Sequence, residues 1–279
     1  MKASRIIAAL LVTLALFGCA NLKEVRDYAD ESAKLSAYTE LTTRFRDTYQ
    51  REQPYLSGEA DHLAQDNDKR RQAAYADLLK IHQKVTLYMQ TLAILAGEDT
   101  FDLSPQIDSL SSGIKVHPEL GIDAQHVDAA TNISKVITTW LTSSYQKQAV
   151  GNMIEEGDPS LQKMLDAMTT LIRYYRKTNE NEKKTVLGFF EMEIPFADTP
   201  KDRLLVTLAQ AHVQAKTIEY NNAQLKYDEA EKGIKSIAEG HRKLLENRNT
   251  LSTDEVKAMI IRLTQDIKTI RENLQTVHN

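Results

Sequence analysis

The chain has 279 residues, with 35 Lys or Arg against 39 Asp or Glu and a net charge of −4. A balance this close to neutral, on the acidic side, argues against nucleic acid and against electrostatic attachment to anionic lipid. A single cysteine leaves no partner for an intrachain disulfide.

Met1 is followed by Lys2 and Arg5 and then by an uncharged run from Ile6 to Phe17. This is the charged start and short apolar core of a secretory signal, too short to span a bilayer, which takes about 20 apolar residues. The run closes on Leu16-Phe17-Gly18-Cys19, and Cys19 is the one cysteine. These four residues resemble the lipobox of bacterial lipoproteins, with Phe17 standing where a small or β-branched residue is usual. The resemblance covers the signal and Cys19 only. It implies cleavage between Gly18 and Cys19 and a covalent lipid on Cys19, the anchor of the mature protein. Ala20, where aspartate would retain a lipoprotein in the inner membrane, implies sorting to the outer membrane, facing the periplasm, with inner membrane or cell surface as the alternatives. Loss of Lys2 and Arg5 from the 35 basic residues leaves 33 against 39, so the mature surface is more acidic still. Residues 1–18 are therefore expected to be the signal peptide and 19–279 a single helical domain.

The domain reads as all-α. Ten glycines and six prolines are few for this length, and they fall in clusters separated by long uninterrupted stretches. From Leu22 to Gln53, Tyr28, Leu35, Tyr38, Phe45 and Tyr49 repeat at helical spacing on one face. Pro54 and Gly58 mark a turn. From Glu59 to Ala96, Ala74, Leu78, Ile81, Val85, Tyr88, Leu92 and Leu95 form a coiled-coil-like seam, preceded by a very polar stretch at Asp66–Arg71. Residues 97–123 carry five glycines and prolines and read as irregular, with room for one short helix over Ser104–Ser112 and a contact outside the bundle.

A third long helix is expected from Asp123 to about Ile154, carrying Val127, Ile133, Ile137, Trp140, Leu141 and Tyr145. Asp158-Pro159 has the cap and first-turn chemistry of a new helix, with Leu161, Leu165, Met168, Ile172 and Tyr175 on its face. A polar interval at Asn179–Lys184 and Gly188 predict a kink or break around the start of the apolar stretch Val186–Phe196. Thr199-Pro200 opens a further helix past Leu245, weakened at Gly233 and Gly240 by about 1 kcal/mol each relative to alanine. Ser252 with Glu255 reads as a capping box for a last helix bearing Val256, Ile260, Leu263, Ile267, Ile270 and Leu274. The expected architecture is an elongated antiparallel bundle of about six long helices with coiled-coil-like packing.

The chemistry-bearing residues form few patterns. Glu59-x-x-His62 and Asp123-x-x-His126 echo half of a di-iron bundle site, but both fall at helix starts and chance pairing accounts for them, so no metal site is assigned. There is no Gly-x-Ser-x-Gly elbow, no phosphate-binding glycine loop and no His-x-x-x-His ligand spacing. No catalytic residue and no cofactor beyond the lipid is expected. Tyr174 and Tyr175, flanked by Arg173 and Arg176, and Phe189 and Phe190 in the Val186–Phe196 stretch, are the candidate partner or membrane contacts. The expected role is a non-catalytic scaffold or adaptor for an envelope protein, with self-association open and with a membrane-active helical protein, or less so a metal-binding bundle enzyme, as alternatives.

Overall fold

A computed structural model describes residues 22–34, 37–97, 112–141, 146–197 and 200–276. The signal segment, Cys19, Ala20, Tyr145 and the helix expected over Ser104–Ser112 (Ser112 itself apart) lie outside the described residues. Within them the chain is an all-α bundle whose one isolated bridge, His117 to Ile122, closes a short turn.

The N-terminal rod is made of three pieces, α1 (Lys23–Ala33), α2 (Ala37–Arg46) and α3 (Thr48–Glu52), where the periodicity predicts one helix. The break at Asp47 has a local cause. The Thr48 hydroxyl donates to the Phe45 carbonyl at 3.0 Å and competes with the helical ladder. A short 3-10 turn, Gln53–Tyr55, and Gly58 in the left-handed region (φ +58) then reverse the chain into α4 (Gly58–Ala96). The rod runs antiparallel to α4. Tyr38 meets His82, the Thr43 and Tyr75 hydroxyls are 3.0 Å apart, and Tyr49 donates to Asp61 at 2.9 Å. Every member of the predicted seam on α4, from Ala74 to Leu95, is buried.

The next two helices divide the chain differently from the sequence reading. α5 (Ala124–Leu141) is short, and α6 (Gln146–Glu193) is a single helix of 48 residues that runs through Pro159 and through Gly188. Asp158-Pro159 therefore starts no helix, and Gly188 breaks none. Proline in a helix interior removes a hydrogen bond and costs about 3 kcal/mol. The helix persists because Val150, Met153 and Ile154 before the proline and Leu161, Met164 and Leu165 after it are all buried on one continuous face, while Pro159 itself is exposed. α6 pairs antiparallel with α7 (Arg203–Glu246), and α8 (Asp254–Thr276) returns along α7 and α1, with Arg271 Nε 3.1 Å from Glu31. α8 begins two residues after Ser252: the Lys257 N–H donates to the Thr253 carbonyl at 2.9 Å, so the cap is Thr253 and not the predicted Ser252 box.

Two glycines have a packing role. Tyr88 lies against α6 at Gly157 and Tyr28 lies against α7 at Gly240, so closely that a Cβ at either glycine would overlap the ring. Each tyrosine is fully buried and its hydroxyl reaches backbone, Tyr28 donating to the Ile237 carbonyl at 2.7 Å and Tyr88 lying 3.1 Å from the Met153 carbonyl. Gly240 costs intrinsic helix propensity, as expected, and in return admits a large aromatic side chain to the helix backbone. Tyr88 is also 2.8 Å from His241 Nε2, whose Nδ1 is 2.8 Å from Asp158 Oδ1. The Asp158 carboxylate thus ties α6 to α7, and Gln162 donates to it as well at 3.0 Å.

The antiparallel pairings define two ends. Leu22 and Arg26 lie beside Gly97 at the C-terminal end of α4, together with the α7–α8 turn. Tyr55, the start of α4, the end of α6 and the start of α7 form the other end. The 39 residues of α4 put these two ends about 58 Å apart.

Candidate interaction surface

The end bearing Tyr55 is where the hairpin of α6 and α7 outruns its neighbours. On α6 the last buried residue is Val186, and on α7 the first is Tyr220. The 17 residues of α7 before Tyr220 span about 25 Å. Apolar side chains continue along this stretch, and among the described residues none buries them. Phe196 is 87% exposed, Leu204 73%, Met192 65%, Leu205 63% and Leu208 59%. The 3-10 turn Ile194–Phe196 at the end of α6 turns the chain at Pro195, and α7 begins at Arg203, so these residues share one tip. Exposed apolar residues gathered in this way make a candidate interaction surface, where scattered single ones would not.

The tip is braced from beneath. Tyr55, Phe189, Phe190 and His212 form an aromatic cluster with ring centroids 5.3 to 6.3 Å apart, and the Tyr55 hydroxyl is 2.8 Å from His212 Nε2. Below this cluster lies a buried charged belt. Arg51 on α3 grips the Glu182 carboxylate with two bonds of 2.8 Å, and Glu182 is wholly shielded from solvent. The Tyr220 hydroxyl donates to the same carboxylate at 3.0 Å. Arg44 donates to Asn179 Oδ1 at 3.2 Å and to Glu219 at 2.9 Å, which ties α2 to both helices of the hairpin. The polar interval Asn179–Lys184, expected to help kink or break the helix, is thus partly interior: Asn179 and Glu182 are buried. Charges so placed are held by partners that lie far away in the sequence, which no local pattern reveals.

The predicted contact residues separate. Tyr175 is 2% exposed, stacks on Phe45 at 4.4 Å and is a core residue. Tyr174, its neighbour, is turned about 100° around α6 and is 40% exposed. Phe190 packs into the aromatic brace and Phe189 stands at its edge, half in contact with solvent. The apolar stretch Val85–Leu95 on α4 is bundle core. Leu204, Leu205 and Leu208 lie in the helix that the sequence places after Thr199-Pro200, and no local pattern singles them out as exposed. Their exposure follows from where the neighbouring helices stop.

Among the described residues, no group of three or more His, Cys, Asp or Glu is placed to hold a metal ion. Asp123 caps α5, accepting the Gln125 N–H at 2.9 Å and the His126 N–H at 3.2 Å, while Glu59 and His62 stand at the start of α4 near the tip. No described helix is long and apolar enough to cross a membrane. The described residues form an elongated helical bundle with an exposed apolar tip. Comparison with family models, with curated proteins and with solved structures found no match.

Proposed function

We propose that this protein is a lipid-anchored adaptor of the bacterial envelope, held at the outer membrane through Cys19 and presenting the tip of the α6–α7 hairpin to a partner protein. The observation that carries this reading is the placement of the two apolar features. Cys19 precedes Leu22 by three residues, and Leu22 is buried at the end of the bundle about 58 Å from the tip. An acylated Cys19 therefore holds one end at a bilayer, while Phe196, Leu204 and Leu205 are carried away from that bilayer into the periplasm. An apolar surface so displaced serves something other than the membrane that holds the anchor. The acidic mature surface supports the same assignment, because it leaves the lipid as the means of attachment. The role is non-catalytic: binding and positioning.

The test is site-specific photocrosslinking in cells, with the photoreactive residue at Phe196, at Leu205 or at Lys257 on α8 as a remote control. The expected result is one shared protein adduct at the first two positions, absent at the third and lost when Leu204→Glu is added. An adduct of twice the protein's own mass would make the partner a second copy. Adducts to lipid alone, or none, would overturn the reading. Exposed Phe, Met and Leu at one tip also favour a second reading, insertion into a facing membrane, which predicts dye release from vesicles by the Cys19→Ser protein. Cys19→Ser is also expected to move the protein from the membrane fraction to the soluble fraction.

A further inference from the structure

Below the tip, α7 has two apolar faces. Tyr220, Ala223, Tyr227 and Ala230 turn one of them into the core. On the far side of the helix, Leu208, Ala211, Ala215, Ile218, Asn222 and Leu225 follow one another at alternating steps of three and four residues. That is the spacing of a coiled-coil seam, and Leu204 extends it into the tip. Leu208, Ala211, Ala215, Ile218 and Leu225 are all exposed and Asn222 is half-buried, so among the described residues none buries this row. The seam ends at the next two positions, Glu229 and Lys232, where Glu229 accepts the Asn273 amide of α8 at 3.0 Å.

The make-up of this seam selects its own copy as the partner. Asn222 is its one polar member, and a parallel pair brings identical seam positions together across the two-fold axis. A side-chain amide carries both donors and an acceptor, so two Asn222 side chains satisfy each other there. Opposite an apolar residue of some other helix, the same amide would lose water and gain nothing. The flanks agree. A parallel pair sets Thr207, Gln214 and Asn221 of one copy against His212, Glu219 and Lys226 of the other. The first three are uncharged, and the second three are engaged within their own bundle. His212 Nε2 is 2.8 Å from the Tyr55 hydroxyl, Arg44 donates to Glu219 at 2.9 Å, and Lys226 donates to Glu40 at 2.7 Å. No like charges meet along the seam. From Leu208 to Leu225 it runs about 26 Å, a small interface, so pairing gains from any device that confines two copies to one surface. A lipid on Cys19 is such a device, and it points both bundles the same way.

We infer that α7 pairs with α7 of a second copy of this chain, parallel and in register, through the seam Leu208–Leu225. The pairing stands on the helix itself; its parallel sense rests also on the Cys19 anchor proposed above.

The test is oxidative crosslinking of the full-length protein in isolated membranes, using Ala211→Cys and Leu225→Cys separately, with Lys257→Cys on α8 as the control. The two seam positions are about 21 Å apart along α7. A disulfide-linked dimer of the chain is expected at both of them and not at Lys257→Cys. An antiparallel pair can bring only one position onto its own copy, so a dimer at one seam position alone would overturn the inference. A mixed disulfide to another protein, equal yields at the control, or no dimer would overturn it as well. Ile218 is exposed and about 20 Å below Leu205, so Ile218→Glu reaches the seam without altering the core or the tip. Added to either seam cysteine, it is expected to cut the dimer yield about tenfold with an unchanged circular dichroism spectrum; an unchanged yield would count against the seam. The Phe196 photoadduct and membrane fractionation, measured on the Ile218→Glu protein, read the tip and the anchor separately, and both are expected to persist.

Discussion

The two halves of the α6–α7 hairpin are made of the same kind of sequence and behave oppositely. Toward the Leu22 end, apolar side chains at helical spacing are buried against α4, α5, α1 and α8, and tyrosines press onto Gly157 and Gly240. Toward the tip, the spacing continues through Phe189, Met192, Leu204, Leu205 and Leu208, and these side chains meet solvent. Amphipathic periodicity specifies a face that can be buried; neighbouring helices decide whether it is. Where the neighbours end, the same pattern stays exposed. Between the halves, the Arg51–Glu182 belt closes the core and leaves the tip free.

That contrast can be broken most severely at the belt. Glu182→Ala leaves Arg51 buried without its carboxylate and removes the acceptor of Tyr220, and is expected to destabilise the fold by about 3–5 kcal/mol in chemical denaturation. A matched pair of glycine substitutions sharpens it. Gly157→Ala places a methyl group into the Tyr88 ring and is expected to cost about 1–3 kcal/mol. Gly188→Ala meets nothing within 4 Å and is expected to stabilise the tip half by up to about 1 kcal/mol through helix propensity. Equal effects at the two glycines would contradict the division drawn here.

Acid should act on the core half first. Burial pulls His241 below its ordinary value of 6.5, against the opposing pull of Asp158. The unfolded chain then takes up a proton that the folded chain refuses, so this part of the stability is present above pH 6.5 and is lost as pH falls below it. A second loss follows between pH 4.5 and about 2. There Glu231 is pushed up by burial but held down to about 2 by the stronger combined pull of Lys235, Arg176 and Arg173. Melting temperatures across pH 8 to 2 check both windows, and His241→Gln is expected to flatten the first. The smallest effect on stability is expected at the tip, where Leu205→Glu changes it by no more than about 0.5 kcal/mol while abolishing the tip crosslink.

The bundle class was legible because its evidence is local. The Ala74–Leu95 seam and the Val256–Leu274 face are repeats on single helices, and the structure buries their principal members. The burial of Arg71 was less legible. Asp66–Arg71 reads as a very polar stretch, yet Arg71 is buried, with its guanidinium over the Phe45 ring. Helix boundaries were misread where local chemistry and tertiary burial disagree. Asp158-Pro159 has every local mark of a helix start, yet the buried face on both sides of it keeps α6 whole, and Asp158 serves His241 instead of a cap. Residues 22–53 have one helical period, yet Thr48 and Asp47 divide them.

By itself the sequence determined the helical class, the long amphipathic faces and the lipobox-like Leu16-Phe17-Gly18-Cys19, because each is written in residues adjacent along the chain or within a few turns. Only the tertiary structure decided which apolar face stays uncovered, which glycines admit a tyrosine, and which charges are buried in pairs. Those outcomes depend on where six rods of unequal length stop relative to one another, a relation between residues as far apart as Arg51 and Glu182 that no local spacing encodes.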